Sequence, residues 1–480
     1  MSLTGGVTRA TLSGISVLIV GAGPVGVFTA LECWRKGHST RIVERHSASV
    51  TQGDFFTIAP QVIKQIQTWP EMVEENERIA PDPWVSYHKS NGELLTGPEP
   101  FDWASQLKST STDETQGYPT RIYRHNRPKF LNMLVSQLRR VGIDVEYEHR
   151  VVEYYEDEDK AGVILDSGEK LEADIVVAAD GIGTKSHKLV NGHDIRAWSS
   201  GLASFRSAFS AGVVTSDPEL NSHFRVLDNG HPHIQMWHGQ GCQVMFFRTE
   251  DTMCWLLMHK DDGTSTEFWH ATVEPEAALQ HLAKVAPDFP EYAKKLIKST
   301  PTGALFDWKI MWRDPQEVTV SPRGRVVQVG DAAHTFLPSS GNGANQGIED
   351  GIVLANCLQL GGKENISWST RVHSKLRFER VSSCQKLGFI NHQKRTNPNI
   401  KAIEKDPKKL KSEVGQWLWR HNPEEYTHQN FTNALDHVKN GAPFQNTNIP
   451  AGYVYKPWKV NELMAEIEAG KEVQFEGDWS

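Results

Sequence analysis

Paired cysteines are missing from this chain of 480 residues. Cys33, Cys242, Cys254, Cys357 and Cys384 lie far apart and are odd in number, so neither a disulfide framework nor a Cys-x-x-Cys zinc site is expected, and a reducing compartment suits them. Long apolar runs are also missing. The run Ile15 to Val20 is broken at once by glycines and a proline, whereas a membrane span needs about 20 apolar residues and a signal peptide needs a small-residue cleavage site. The last residues, Gly477-Asp478-Trp479-Ser480, match no retention or lipidation signal. A soluble, cytoplasmic protein without an integral membrane segment is therefore expected. Basic charge is short as well: the formal net charge is -8, which gives no footprint for a phosphate backbone and excludes nucleic acid as an expected partner. No Ser-His-Asp nucleophile elbow and no His or carboxylate spacing for a metal is present.

What is there is ordinary globular material, with 38% hydrophobic and 23% charged residues. The length exceeds what one hydrophobic core usually serves, so two or more packed domains are expected. Val17 to Val20 reads as a buried strand, Pro24 to Lys36 as a helix and Thr40 to Val43 as a second strand, a βαβ opening. A proline starts a helix over Pro128 to Arg140, with Phe130, Leu131, Leu134 and Leu138 on one face. Glu148 to Leu171 predicts a hairpin turning at Asp166-Ser167-Gly168, with the acidic run Glu156 to Asp159 solvated at a tip. Ile175 to Ala178 is a short buried strand. From Leu202 to Ile310 strand-like pieces alternate with two short helices, a candidate substrate domain. Strand Val326 to Val329 returns to the first pattern and leads through a small-residue loop to a long helix from about Gln346, so the first domain is discontinuous. Lysines and then Trp417, Trp419 and Tyr426 mark a tail after Asn397, without repeats.

Three clusters carry chemistry. Gly21-Ala22-Gly23-Pro24-Val25-Gly26 follows a strand, opens a helix and is joined by Glu44 at the end of the next strand. The glycines allow a tight turn, backbone N–H groups and the positive helix end can meet a pyrophosphate, and a carboxylate can accept from ribose hydroxyls. Gly330-Asp331-Ala332-Ala333-His334, followed by Pro338, Gly341, Gly343, Ala344, Asn345 and Gln346, again joins a strand to a helix. Small residues there let backbone approach a flat ring, and a helix start can hold developing negative charge. An ordinary strand-loop-helix connection uses the same residues as caps and turns. Ala179-Asp180-Gly181, after a buried strand, is by itself also a plain turn.

Together, in this order and spacing, the three clusters resemble the class A, single-component FAD-dependent flavoprotein monooxygenases, of the para-hydroxybenzoate and salicylate hydroxylase kind and closest to fungal members, over about Ile15 to Ile390. The resemblance implies an α/β fold in which a Rossmann-like FAD-binding domain (residues 12–200 and 303–397) is interleaved with a β-sheet substrate domain (201–302), plus a helical C-terminal region (398–480). It implies FAD as cofactor, with NAD(P)H and O2 as co-substrates and a monomer or homodimer. It places the FAD pyrophosphate on Gly21, Gly23, Pro24, Val25 and Gly26, the ribose on Glu44 beside Arg45, and Arg127 near the pyrophosphate, although a surface arginine at a helix start reads the same way. It gives Asp180 a cofactor role, puts the ribityl chain at Asp331 and the ring edge at Gly343, Ala344 and Asn345, and sets Pro338 where oxygen and substrate meet. No metal is implied.

The implied reaction is hydroxylation of an electron-rich aromatic, phenolic or phenolic-acid small molecule, including secondary metabolites, through a flavin C4a-hydroperoxide. Decarboxylative hydroxylation, epoxidation and Baeyer-Villiger oxidation use related chemistry. A reductase or dehydrogenase without oxygen transfer, and a non-enzymatic binding protein on the same scaffold, are the rival readings. Arg206, on a strand where the family has an arginine near flavin or an acidic substrate, is the first candidate for orienting the substrate. His231, His233 and His238 follow, with His233 taken as catalytic alongside Arg206 and Pro338. Trp237, Phe246, Phe247 and Trp255 are expected at a pocket floor, or in plain sheet core. Two departures stand out. Thr184 and His187 occupy the serine and arginine places of the second motif, and Phe246-Phe247 follow Trp237-His238-Gly239 where the family often has a tyrosine.

Overall fold

The computed structural model describes residues 2–4, 6–49, 53–101, 119–266, 271–396, 403, 405–406, 415–469, 471 and 476–479. At its centre is a parallel sheet in the order Val326–Gln328, Ile175–Ala178, Ser16–Val20, Ser39–Val43, Val145–Glu146. Ile175–Ala178 is apolar at every position and Ser16–Val20 from Val17 onward, because both faces are covered there. Val17, Ile19, Ile175 and Val177 pack with Phe28, Leu31 and Leu134 of the helices Pro24–Arg35 and Arg127–Arg140 and with Ile352 of the helix Gly343–Gly361. Leu18, Val20, Val176 and Ala178 pack with Tyr154, Val163 and Leu171 of a small antiparallel sheet on the other side.

That small sheet corrects the expected hairpin. It has three strands, Val151–Glu156, Ala161–Leu165 and Lys170–Ala173, so the acidic run forms the first turn and Asp166 to Gly168 the second. Nor is the run merely solvated: Glu156 accepts from Ser321 Oγ and from the backbone N–H groups of Arg323 and Arg325. Those groups lie more than 160 residues away, beyond the reach of a local pattern.

The second large sheet has seven strands in the order Leu305–Trp312, Trp198–Ser210, Thr252–Lys260, Cys242–Arg248, His233–Gly239, Trp84–Lys89, Leu94–Pro100. It draws its edges from both sides of residues 201–302. Among the described residues four helices, not two, accompany this stretch: Gly212–Thr215, Pro218–His223, Pro275–Val285 and Glu291–Lys298. The last two cover one sheet face, packing Ala278, Leu282, Leu296 and Ile297 against Phe205, Phe246 and Trp255. The long helix begins at Gly343, three residues before the expected start, and continues through a short turn into Ile366–Thr396. The helix Pro423–Asn440 of the C-terminal region then packs Tyr426, Phe431 and Ala434 against Val353, Cys357, Val372 and Leu376 of both. Among the described residues no helix is long and apolar enough to cross a membrane, and no group of His, Cys, Asp and Glu could hold a metal ion.

Burial also sets an acid limit. His38, His125 and His373 are enclosed, and burial pushes their pKa values down from 6.5 to about 4, 3 and 4. In the unfolded chain they take up protons below about pH 6.5, while the folded protein resists until about pH 4. Their contribution is present above the unfolded pKa and lost as pH falls, by about 2 kcal/mol each at pH 5. The melting temperature is expected to be level near pH 7 to 8 and to drop from below pH 6.5. A melting temperature unchanged between pH 7.5 and 5 would contradict this.

Candidate functional site

The first glycine cluster sits where the central strand Ser16–Val20 ends. Gly21 has φ +103° and closes against the Ala179-Asp180-Gly181 cluster, since a Cβ there would lie 2.5 Å from the Ala179 carbonyl oxygen. A Cβ on Gly26 would lie 1.9 Å from the Gly21 carbonyl oxygen, so the loop can fold onto its helix only with glycine at both places. Gly23 differs: its added Cβ would meet nothing within 4 Å. It is the N-cap of Pro24–Arg35, with no side-chain cap and no acidic residue in the first turn. The helix start thus offers free N–H groups beside an open space. Glu44 closes the rim, accepting from Ala22 N at 2.8 Å and His46 N at 3.0 Å. Arg45 is exposed beside it, its Nε 3.4 Å from His46 Nε2. Arg127 is exposed at the start of its own helix, its N–H on the Asp54 carbonyl and its aliphatic stem against Gly53.

The other two clusters converge on the same rim. Asp180 accepts from Tyr154 Oη at 2.8 Å, while its Oδ1 is buried without a hydrogen-bond partner and burial raises its pKa. Asp331 lies exposed in a 3-10 turn, Gly330–Ala332. Between them stands Arg313, only 1% exposed, which donates to the carbonyls of Ile182 at 3.5 Å and Asp331 and contacts His187 Nε2. The guanidinium absent from the second motif is therefore supplied from after the strand Leu305–Trp312. Burial, with Arg313 next, brings the His187 pKa to about 4, so its ring stays neutral beside the arginine.

Behind this loop lies a charge network that the sequence reading missed. Asp350 Oδ2 accepts from Gly330 N at 2.9 Å and His334 Nε2 at 2.6 Å, and its Oδ1 accepts from Arg377 Nε at 2.7 Å. Arg377 also donates to Glu349 at 2.6 Å, and Glu349 accepts from Arg380 at 2.8 Å. Arg380 ends the chain of contacts on the carbonyls of Trp417, Leu418 and Asn448, which ties the C-terminal region to the loop. Burial opposes the charge on Glu349, but Arg380 and Arg377 outweigh it and hold the pKa at about 2. Asn345 is fully buried and acts as a clip: its Oδ1 accepts from Ala59 N, and its Nδ2 donates to the carbonyls of Thr57 and Gly341. A Cβ on Gly343 would lie 3.4 Å from Phe336, Ala344 is half-buried beside it, and Pro338 is exposed in the turn Pro338–Ser340. Gly347 and Gly351 were also missed; Cβ atoms there would press on Val25 at 2.5 Å and Thr29 at 2.3 Å, so they let the two loop-bearing helices touch.

The opposite face of the seven-stranded sheet turns toward this loop: Leu337 shares a cluster with Met258 and the half-buried Leu256. One cross-strand row on that face runs Arg206, Leu256, Met245, Met236, Tyr87. His233 does not belong to it. Alternation along its strand puts His233 on the opposite face, with Nε2 on Ser86 Oγ at 2.7 Å, so it cannot act with Arg206 as a catalytic pair. His231 stacks on Trp84 and bonds the Asp82 carbonyl, and His238 is buried against Tyr87 on the Arg206 face. The pocket-floor expectation also needs correction. Trp237, Phe246 and Trp255 are core beneath the covering helices, and only Phe247 faces the loop side, edge-on to Phe55 at 4.7 Å.

A family of FAD binding domains matches residues 14–364. The chain belongs to this family. The FAD-dependent monooxygenase fsr3 of Gibberella fujikuroi is 40% identical over 482 residues, covering 99% of this chain and 91% of its own, and mdpD of Emericella nidulans, also an FAD-dependent monooxygenase, is 38% identical over 98% and 92%. Among solved structures, FqzB superposes with a TM-score of 0.81 at 28% identity, covering 93% of this chain and 99% of its own. CtdE in complex with FAD and a substrate gives 0.78 at 27%, over 88% and 99%. The protein is an FAD-dependent monooxygenase with the fold of the salicylate hydroxylase-like class A enzymes.

The residues present fit FAD. An FAD-dependent monooxygenase needs a place for a pyrophosphate, and the open side of Gly23 at an uncapped helix start is one. It needs acceptors for hydroxyls, and the orphaned Asp180 Oδ1, Glu44 and the exposed Asp331 are suited to that. None of the network behind the loop had a local signal, because each of its partners lies at least 16 residues from Asp350.

Proposed function

We propose that this FAD-dependent monooxygenase uses NAD(P)H and O2 to hydroxylate an electron-rich aromatic of the phenolic or phenolic-acid class. The observation that carries the reading is the half-buried apolar strip Ala208, Met236 and Leu256, bounded by Arg206 on the same row and by Leu337 of the flavin loop. A flat ring matches such a strip, and a cation at its end matches an acidic oxygen. Gly21, Gly23, Gly26, Glu44 and Arg127 would hold the dinucleotide, with Asp180, Asp331 and the Gly343 to Asn345 segment along its flavin half. When bound, FAD would accept two electrons from NAD(P)H and in its reduced form activate O2. The chain's own part is to keep water off the strip and to orient the ring. Arg206 is held for that by Asp54, whose carboxylate accepts from its Nε at 2.8 Å. Pro338, exposed at the turn and next to Leu337, would border the approach to the strip.

The test is isotopic. With FAD-loaded protein, NADPH and 18O2, a panel of phenols and phenolic acids is expected to yield at least one product carrying a single labelled oxygen. NADPH consumption that never labels any product would favour the reductase reading.

A further inference from the structure

Two guanidinium groups reach the sheet face beside the flavin loop, and they are not equivalent. Arg206 is ion-paired with Asp54, both of them largely buried. Arg124, on the strand Tyr123–Asn126, makes no hydrogen bond to a carboxylate among the described residues, and Asp54 reaches it only through its field. Its Nη1 donates to Thr57 Oγ1 at 3.0 Å, and its Nη2 has only the Phe55 carbonyl at 3.4 Å and Met245 Sδ at 3.6 Å. Its Nε is buried with no hydrogen-bond partner. A guanidinium carries five N–H donors in a planar fork, so donors of this one, the Nε–H among them, are left over, and two of its contacts are long. Burial lowers the pKa of Arg124 and outweighs the charge of Asp54, which acts on it from beyond hydrogen-bond reach.

Its position is telling. Thr57, which Arg124 grips, packs 3.4 Å from the Cβ position of Gly341 in the flavin loop. Met245, which it touches on the other side, is the direct cross-strand neighbour of Leu256, and the other such neighbour of Leu256 is Arg206. The half-buried Leu256 thus lies between the two positions, with Arg124 on the side next to the loop. Building on the function proposed above, we infer that Arg124 is the receptor for an oxyanion on the aromatic substrate, a phenolate or carboxylate, while Asp54 reserves Arg206 for positioning. Asp54 is then a specificity residue: its hydrogen bonds go to Arg206 while its charge also offsets part of Arg124, so a monoanionic ring suits the remaining donors better than a dianion.

The experiment is a titration of the FAD-loaded protein with benzoate and with its neutral isostere benzamide, followed by calorimetry and by the change in flavin absorbance. Wild type is expected to prefer benzoate. Arg124→Gln is expected to weaken benzoate about tenfold or more, the loss of one charge-assisted pair, and to leave benzamide within twofold. Asp54→Asn frees Arg206 and is expected to tighten benzoate, which keeps the inference exposed even where Arg124→Gln fails to fold. Unchanged benzoate affinity in Arg124→Gln, weaker affinity in Asp54→Asn, or equal binding of benzamide by wild type would each overturn the assignment. Wild-type protein that takes up no FAD would sink the underlying function instead. Protein that binds FAD and benzoate but ignores the Arg124 change loses only this inference.

Discussion

Arg377→Met is expected to cost about 3–5 kcal/mol, because it removes the shared partner of two buried carboxylates. Arg377 donates to Asp350 Oδ1, Glu349 Oε2 and both the carbonyl and side-chain oxygens of Gln346, and is itself 3% exposed. Methionine fills the space and meets none of these acceptors. Arg380 and His334 remain to hold Glu349 and Asp350, so the fold should survive. At about 2–4 °C per kcal/mol for a domain of this class, the melting temperature should fall by roughly 10 °C. Asp350 also carries the Gly330 N–H, so FAD should be released below the unfolding temperature of the variant, read from flavin fluorescence during the same melt. Arg377→Lys keeps the charge without the fork and should fall between the two. A melt of Arg377→Met that overlays the wild type would show that the network is not a support of the loop.

The second large effect separates two glycines three residues apart. Gly26→Ala places a methyl 1.9 Å from the Gly21 carbonyl oxygen, an overlap that only a shift of the loop can relieve. Apo stability should fall by about 1–3 kcal/mol or more, and FAD retention should be lost with the loop geometry. Gly23→Ala places its methyl in open space, and the backbone there, φ -72° and ψ 175°, suits any residue. Its apo melting temperature should therefore match wild type, while FAD, whose pyrophosphate would approach that face, should bind roughly tenfold more weakly or worse, about 1.4 kcal/mol. Equal FAD affinity in Gly23→Ala would move the pyrophosphate elsewhere.

These two cases mark how far the chain could be read. Gly21 to Gly26 was legible because strand, turn and helix start are consecutive, and the backbone shape that glycine permits is a local property. Asn345 was legible only as a neighbour of the flavin ring. The structure makes it a clip between Thr57, Ala59 and Gly341, which needs a partner 286 residues away. Arg377 gave no signal at all, since an arginine in a helix is usually on the surface.

By itself the sequence determined the βαβ opening, the discontinuous flavin motifs and the family, because close glycine packing and buried parallel strands demand particular residues in a particular order. Tertiary structure alone decided what the charged residues do. Arg206 and His233 both lie on strands of one sheet, and only the pairing register puts them on opposite faces, since a shift of one residue would exchange them. Asp54 meets Arg206 across 152 residues, and Arg124 is left without a carboxylate hydrogen bond by that choice among the described residues. Electrostatic partnership acts through space over a few ångströms, and order along the chain carries no record of it.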